Sequence, residues 1–251
     1  MTSSAQAAHV GSSLSVVDIL AAAYSVYPLL DELRASKESQ THLVFSKGHA
    51  AAALYAVLAH SGAFPIEWLD RYCRNGAELG GHTAHGVPGV ELSAGSLGHG
   101  LPYAVGLALA KQRSNTAGKT VVVLSDGELN EGSNWEALML AAHHKLTSLE
   151  ILIDRNRQQS FGDTEATVAL EPLDKKFDAF GWNAIWLDGH SHLELCNFMA
   201  DQTPRERPTV AICGTVKGKG VSFMENQTKW HYRPPNAEEL ALALSEQEGD
   251  S

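Results

Sequence analysis

The sequence predicts an α/β fold with a doubly wound, mostly parallel sheet and helices on both faces. Three observations carry this expectation. Short apolar runs of strand character alternate with longer stretches of helical periodicity. One of them, 121–125, reads Val-Val-Val-Leu-Ser, as a strand covered on both faces should. Finally, no linker, internal repeat or low-complexity tract divides the 251 residues, so 1–251 is expected to form one domain with a short polar tail.

The elements follow in order. Ser15-Val-Val-Asp18 reads as a capping box, with Leu14, Val17, Ala21 and Tyr24 on one helical face. A polar break at 34–41 precedes a short strand at His42–Phe45, and 50–59 reads as a helix of small residues. Residues 73–100 are rich in Gly and His and too long for a simple connector, which marks a functional loop. Then come a helix at 101–111, a strand at 121–125, a helix at 133–145 and a strand at 149–153. A short helix at 173–180, a strand at 183–187, a helix around 192–200 and a strand at 209–213 complete the alternation, and a terminal helix follows Pro234.

Composition narrows the function. The formal net charge of −10 disfavours a general nucleic-acid or anionic-membrane surface, since phosphates attract basic faces. It leaves room for a local anion site of backbone N–H groups and one or two lysines. Cys73, Cys196 and Cys213 fit no metal-ligand spacing and no disulfide framework. The amino terminus has no secretory pattern and no apolar run reaches membrane-spanning length, so a soluble cytoplasmic protein is expected.

In open parallel sheets ligands sit beyond the carboxyl ends of strands. Strand 121–125 runs into Asp126-Gly127-Glu128, and strand 149–153 into Asp154-Arg155-Asn156. One strand–helix–strand unit separates Asp126 from Asn156, so adjacent parallel strands would deliver both to one edge. A carboxylate and an amide oxygen suit a hard cation such as Mg²⁺. Gly127 lets the backbone pass close to a diphosphate, and a helix starting near Ser133 would point its positive end there. Taken alone, an Asp-Gly pair is more often just a turn, and a single loop histidine just a solvated polar group.

The wider pattern changes that balance. Ser125-Asp-Gly-Glu-Leu-Asn-Glu131-Gly132, followed by Ile153-Asp-Arg-Asn156-Arg-Gln158, resembles the thiamine-diphosphate fingerprint in its transketolase form. Ala8-His9-Val10-Gly11, Ser46-Lys47-Gly48-His49-Ala50, Gly81-His82, Gly95-Ser96-Leu97-Gly98-His99-Gly100, Lys217-Gly-Lys-Gly-Val-Ser-Phe-Met-Glu225 and Trp230-His231 resemble transketolase segments in the same order. The resemblance implies the thiamine-diphosphate-binding fold and thiamine diphosphate with Mg²⁺, for which Ca²⁺ or Mn²⁺ could substitute. It implies metal ligation by Asp126, Asn156 and the backbone carbonyl of Gln158. Cofactor contacts would come from His49, Gly95, Ser96, Leu97, Gly127, Glu128, Asn156 and His231. Catalysis would fall to His9, His49, His82 and His231, which can pass protons near neutral pH, with Glu131 at a symmetric contact.

The sequence departs from the family pattern at Ser125, at Val10 and at His99, and His85 has no counterpart there. A full transketolase continues into a domain that carries the cofactor-activating glutamate. The resemblance therefore implies a separate carboxyl-terminal subunit that supplies it, a two-plus-two heterotetramer, and ketose or ketose-phosphate substrates. Other readings are a component of another thiamine enzyme, of the 1-deoxyxylulose-5-phosphate synthase or 2-oxo-acid-utilising kind, or a non-catalytic cofactor-binding relative. A nucleotide-binding doubly wound domain is disfavoured by the lack of a Walker-type Gly-x-x-x-x-Gly-Lys-Ser/Thr.

Overall fold

A computed structural model describes residues 1–27, 29–30 and 41–249. The polar break expected at 34–41 lies outside them except for Thr41. Five strands, β1 (His42–Phe45), β2 (Thr120–Ser125), β3 (Leu149–Arg155), β4 (Asn183–Asp188) and β5 (Thr209–Gly214), form one sheet in the order β1-β2-β3-β5-β4. Every pairing is parallel. The three central strands are buried along almost their whole length, as Val- and Ile-rich runs require when helices cover both faces.

The pleat sends alternate side chains to two cores. Val121, Val123, Leu152 and Ala211 meet helices Val10–Val26, Ala51–His60 and His192–Ala200 on one face. Val122, Leu124, Ile151, Ile153, Val210 and Ile212 meet helices Gly100–Ser114, Gly132–His143 and Leu173–Ala179 on the other. This is the doubly wound architecture expected from the alternation. Each strand and helix expected beyond residue 41 is present, with ends displaced by a few residues. No helix among the described residues is long and apolar enough to cross a membrane.

The first long helix corrects two expectations. It begins at Val10, behind His9 at φ 74°, so Ser15 lies inside it and caps nothing. Ser15 Oγ instead donates to Asp154 Oδ2 at 2.6 Å, and Asp18 pairs with His190 and His192. The face that packs is Val16, Ile19, Leu20 and Ala23, whereas Leu14, Val17, Ala21 and Tyr24 are only partly covered. The helix is apolar or small on most sides, so periodicity alone could not select the buried stripe. Contact with helices 51–60 and 192–200 did so.

Candidate active site

The site lies at the carboxyl edge of the sheet. Ser125 of β2 is in register with Asp154 of β3, so the residues after both strands emerge side by side. Asp126 follows directly and caps a 3-10 turn, Gly127–Asn130, by accepting the Gly127 N–H at 2.7 Å. Its other oxygen accepts from Arg155 Nη1 at 3.0 Å and from the Arg157 amide at 2.6 Å. Asn156 donates to Asp154 Oδ2 at 3.2 Å and accepts the Gln158 amide at 3.0 Å, so its side chain is held at both ends. The helix Gly132–His143 begins only after the turn, and it is Gly127, not residues 132–133, that borders the cavity.

Beside these oxygens stands a buried ion pair. Lys47 donates to Asp154, to Ser15 Oγ at 3.0 Å and to the Ser12 carbonyl at 2.9 Å, and Thr215 also donates to Asp154. Burial opposes ionisation of Asp154, but Lys47 and the hydroxyl donors outweigh it and hold its pKa below the ordinary carboxylate value. Burial and the neighbouring Asp154 push Asp126 upward, against the pull of Arg155 and the Arg157 amide.

A cavity of about 260 Å³ opens above this floor. It is bordered by Asp126, Gly127, Asn156 and Gln158, by Gly95 and Leu97 of the long loop, and by His9, His49, His231, Lys47 and Lys217. The loop lies tightly over Gly48, where any Cβ would overlap the Ala94 carbonyl. His9 is the hub of the imidazoles, with ring centres 5.4 Å from His49, 5.6 Å from His82 and 4.9 Å from His231. Burial lowers the His9 pKa to about 4 and that of His231 to about 3, and the nearby lysines add to both shifts. His49 is lowered well below its usual value by burial and by Lys47. All three are neutral at pH 7, able to accept or donate a proton through one ring nitrogen each.

Other expected residues stand apart from the cavity. The Glu128 carboxylate, fully buried, turns away from it and accepts from Ser46, from the Gly98 amide at 2.9 Å and from the Ser125 amide at 3.3 Å. Direct ligand contact, expected from the sequence, is replaced by a clamp that joins the long loop to β2. Gly98 needs its φ of +82° and its missing Cβ, because Glu131 packs against it. Glu131 is exposed, and Ser96 lies in the loop beyond the cavity wall. His82, expected to be catalytic, is exposed and does not border the cavity, meeting it only through its ring contact with His9, and His85 and His99 do not border it either.

Sequence reasoning singled out no lysine for a role of its own. Lys217 is 1% exposed, yet its Nζ meets two neutral acceptors, the Gln159 carbonyl at 3.3 Å and His231 Nδ1 at 3.0 Å. Burial and Lys47 lower its pKa to about 8. A desolvated ammonium with no carboxylate in contact among the described residues is suited to an anion. The signal was the position of each lysine beside a glycine, Lys47 before Gly48-His49 and Lys217 before Gly218, where backbone and ammonium can approach one anion together. Gln159, Ser160 and Tyr232 also border the cavity.

The residues fit a diphosphate held through a hard cation. Buried cations, neutral imidazoles, a carboxylate and amide groups all border the one space. The buried Gln158 Oε1 has no partner among the described residues. Among the described residues no group of three or more His, Cys, Asp or Glu could hold a metal. A cation here must therefore recruit amide and carbonyl oxygens, the donor set of Mg²⁺ or Ca²⁺.

Comparison with known proteins agrees. Residues 1–248 match the family model described as the transketolase, thiamine diphosphate binding domain. The chain is 41% identical over 239 residues to an apulose-4-phosphate transketolase subunit of Actinobacillus succinogenes, covering 95% of this chain and 87% of that protein. It is 38% identical over 243 residues to 6-deoxy-6-sulfo-D-fructose transketolase subunit SqwG of a Clostridium species, covering 96% and 88%. The crystal structure of Campylobacter jejuni transketolase superposes with a TM-score of 0.88 at 28% identity, over 99% of this chain but only 40% of that one. A match along nearly its whole length, in sequence and in fold, places this chain in the transketolase family, as a thiamine-diphosphate-binding domain.

Proposed function

We propose that this chain is the diphosphate- and cation-holding half of a two-subunit transketolase-type enzyme, which moves a two-carbon ketol unit between sugars or sugar phosphates. The observation that carries the reading is the cavity itself, where Asp126, Asn156 and Gln158 face Lys217, His49 and His231. Asp126, the Asn156 amide oxygen and the Gln158 backbone carbonyl would hold Mg²⁺, with Ca²⁺ or Mn²⁺ as substitutes. Lys217, His231 and His49 would hold the diphosphate, while Gly127, whose N–H is taken by Asp126 and not free as a donor, would leave it room by lacking a side chain. Gly95 and Leu97 would meet the far end of the cofactor, with Ser96 behind them.

Thiamine diphosphate supplies a nucleophilic carbon able to break and form bonds beside a carbonyl. The protein's part is to orient the substrate, exclude water and move protons. His9, His49 and His231 would line the substrate path, with His82 beside His9 outside the cavity wall, and burial keeps the first three uncharged at pH 7, so each could relay a hydroxyl proton without carrying a standing charge. Glu128 acts at one remove, by holding the long loop in place.

The relatives from Actinobacillus succinogenes and Phocaeicola vulgatus are each named as one subunit of a transketolase, which supports a partner for this chain. That partner would supply the activating glutamate and the rest of the pocket. Exposed Glu131 would sit where two copies meet in a two-plus-two heterotetramer, in the cytoplasm. The reading is tested by calorimetry with Mg²⁺ and thiamine diphosphate on the assembled complex. Asp126→Ala and Asn156→Ala should each abolish cation-dependent binding with the circular-dichroism spectrum unchanged. Wild-type affinity in both variants rules the site out.

A further inference from the structure

Arg155 ends β3 beside Asp126 but does not border the cavity. Its side chain is fully buried and faces three carboxylates. Nη1 donates to Asp126 Oδ2 at 3.0 Å, while Nη2 donates to Glu165 Oε1 at 2.6 Å and to Glu171 Oε1 at 2.8 Å. The two glutamates lie outside the cavity, in a segment that they also help to fold. Glu165 accepts the amides of Leu170 and Glu171 at 3.2 Å each, and Glu171 accepts the Leu173 amide at 2.9 Å.

The three distances matter electrostatically. A buried guanidinium bound to Asp126 alone would neutralise that carboxylate and oppose any divalent cation brought to it. Here Glu165 and Glu171 share Nη2 at 2.6 and 2.8 Å, and the cluster sets one guanidinium against three carboxylates. Asp126 is thus oriented by Arg155 without being neutralised by it.

We propose that Glu165 and Glu171 are positioning residues that act through Arg155 to keep Asp126 available to a divalent cation, so that a segment outside the cavity sets part of its cation affinity. This rests on Asp126 being a metal ligand. It predicts a dependence on charge with a definite sign. Glu165→Gln/Glu171→Gln keeps the shape of both side chains but leaves Arg155 opposed by Asp126 alone. Cation affinity should then fall about five- to tenfold. Adding Arg155→Met removes the competitor and should restore at least half of that loss.

The experiment is titration of Mn²⁺, followed by its paramagnetic resonance signal, into the full chain and its partner complex with thiamine diphosphate present. Glu171→Asp, which keeps the charge and changes the shape, should stay within about twofold of wild type, whereas Glu171→Gln should not. Circular dichroism checks the fold of each variant, and the comparison of Glu171→Asp with Glu171→Gln decides the proposal even where the triple does not fold. A merely structural role makes the triple variant bind worse than the double and makes Glu171→Asp as damaging as Glu171→Gln, and either result overturns the proposal. Wild-type affinity in the double variant does so as well. If the wild-type protein shows no cation-dependent cofactor binding at all, the reading of Asp126 falls and this inference falls with it.

Discussion

Lys217 Nζ donates to His231 Nδ1 across 3.0 Å, and among the described residues neither group has a carboxylate in contact. The contact fixes His231 as the neutral ring with its proton on Nε2, pointing the remaining donor elsewhere. Lys217, lowered to about 8 by burial, is therefore poised to gain charge when an anion arrives. Binding of thiamine diphosphate near pH 8 should take up a proton, visible as a dependence of calorimetric heat on buffer ionisation enthalpy. Lys217→Met should abolish this uptake and weaken binding about 10- to 100-fold, the loss of one charge-assisted contact. Proton uptake that persists in the variant would assign the linkage to another group.

The histidines make the protein sensitive to acid. With folded pKa values of about 4 for His9 and about 3 for His231 against 6.5 unfolded, the unfolded chain binds more protons throughout the interval between. Stability must therefore be highest above about pH 6.5 and fall continuously as the pH drops toward 4. Urea midpoints measured from pH 7.5 to pH 4.5 check this, and His9→Gln should flatten the slope. In the assembled enzyme, His49→Ala or His231→Ala should lower kcat by about 10²–10⁴-fold, the usual worth of a positioned proton-transfer group. His85→Ala, outside the cavity, should not.

Lys47 and Asp154 are both essentially excluded from water and bound to each other. Removing one partner leaves the other charged and buried, so Asp154→Asn should destabilise the protein by about 3–5 kcal/mol. Because the folded pKa of Asp154 lies below the unfolded one, its contribution is present above pH 4 and disappears as the pH falls through the folded value. Denaturant unfolding of Asp154→Asn at pH 7 is the check. A loss under about 1 kcal/mol would mean that the pair is hydrated in solution.

Assembly supplies the last prediction. Tyr103, Met139 and Leu140 are exposed apolar side chains on the neighbouring helices 100–114 and 132–143. Mixed with its partner subunit, the chain should sediment as a two-plus-two complex. Alone, with Mg²⁺, thiamine diphosphate and a series of ketose phosphates, it should show no ketol transfer. Robust turnover by the isolated chain would sink the split-enzyme reading.

Much of this protein was written locally. Strand and helix alternation depends on near-neighbour periodicity, so five parallel strands and the helices beyond residue 41 could be placed from the chain alone. The Asp126-Gly127 and Asn156 pair was legible for the same reason, since parallel neighbours bring consecutive strand ends together. What the sequence could not decide depended on contacts between distant segments. The first helix is apolar on most sides, and only packing selected the stripe of Val16, Ile19, Leu20 and Ala23 and turned Ser15 from an expected cap into a donor to Asp154. Glu128 sits in the fingerprint, yet its carboxylate is claimed by Ser46 and Gly98, residues 82 and 30 positions away in the chain. Lys217 and Arg155 are ordinary cations in the sequence. Burial leaves one an ammonium held by a carbonyl and an imidazole and makes the other a bridge among three carboxylates, because charge excluded from water must find partners wherever the fold brings them.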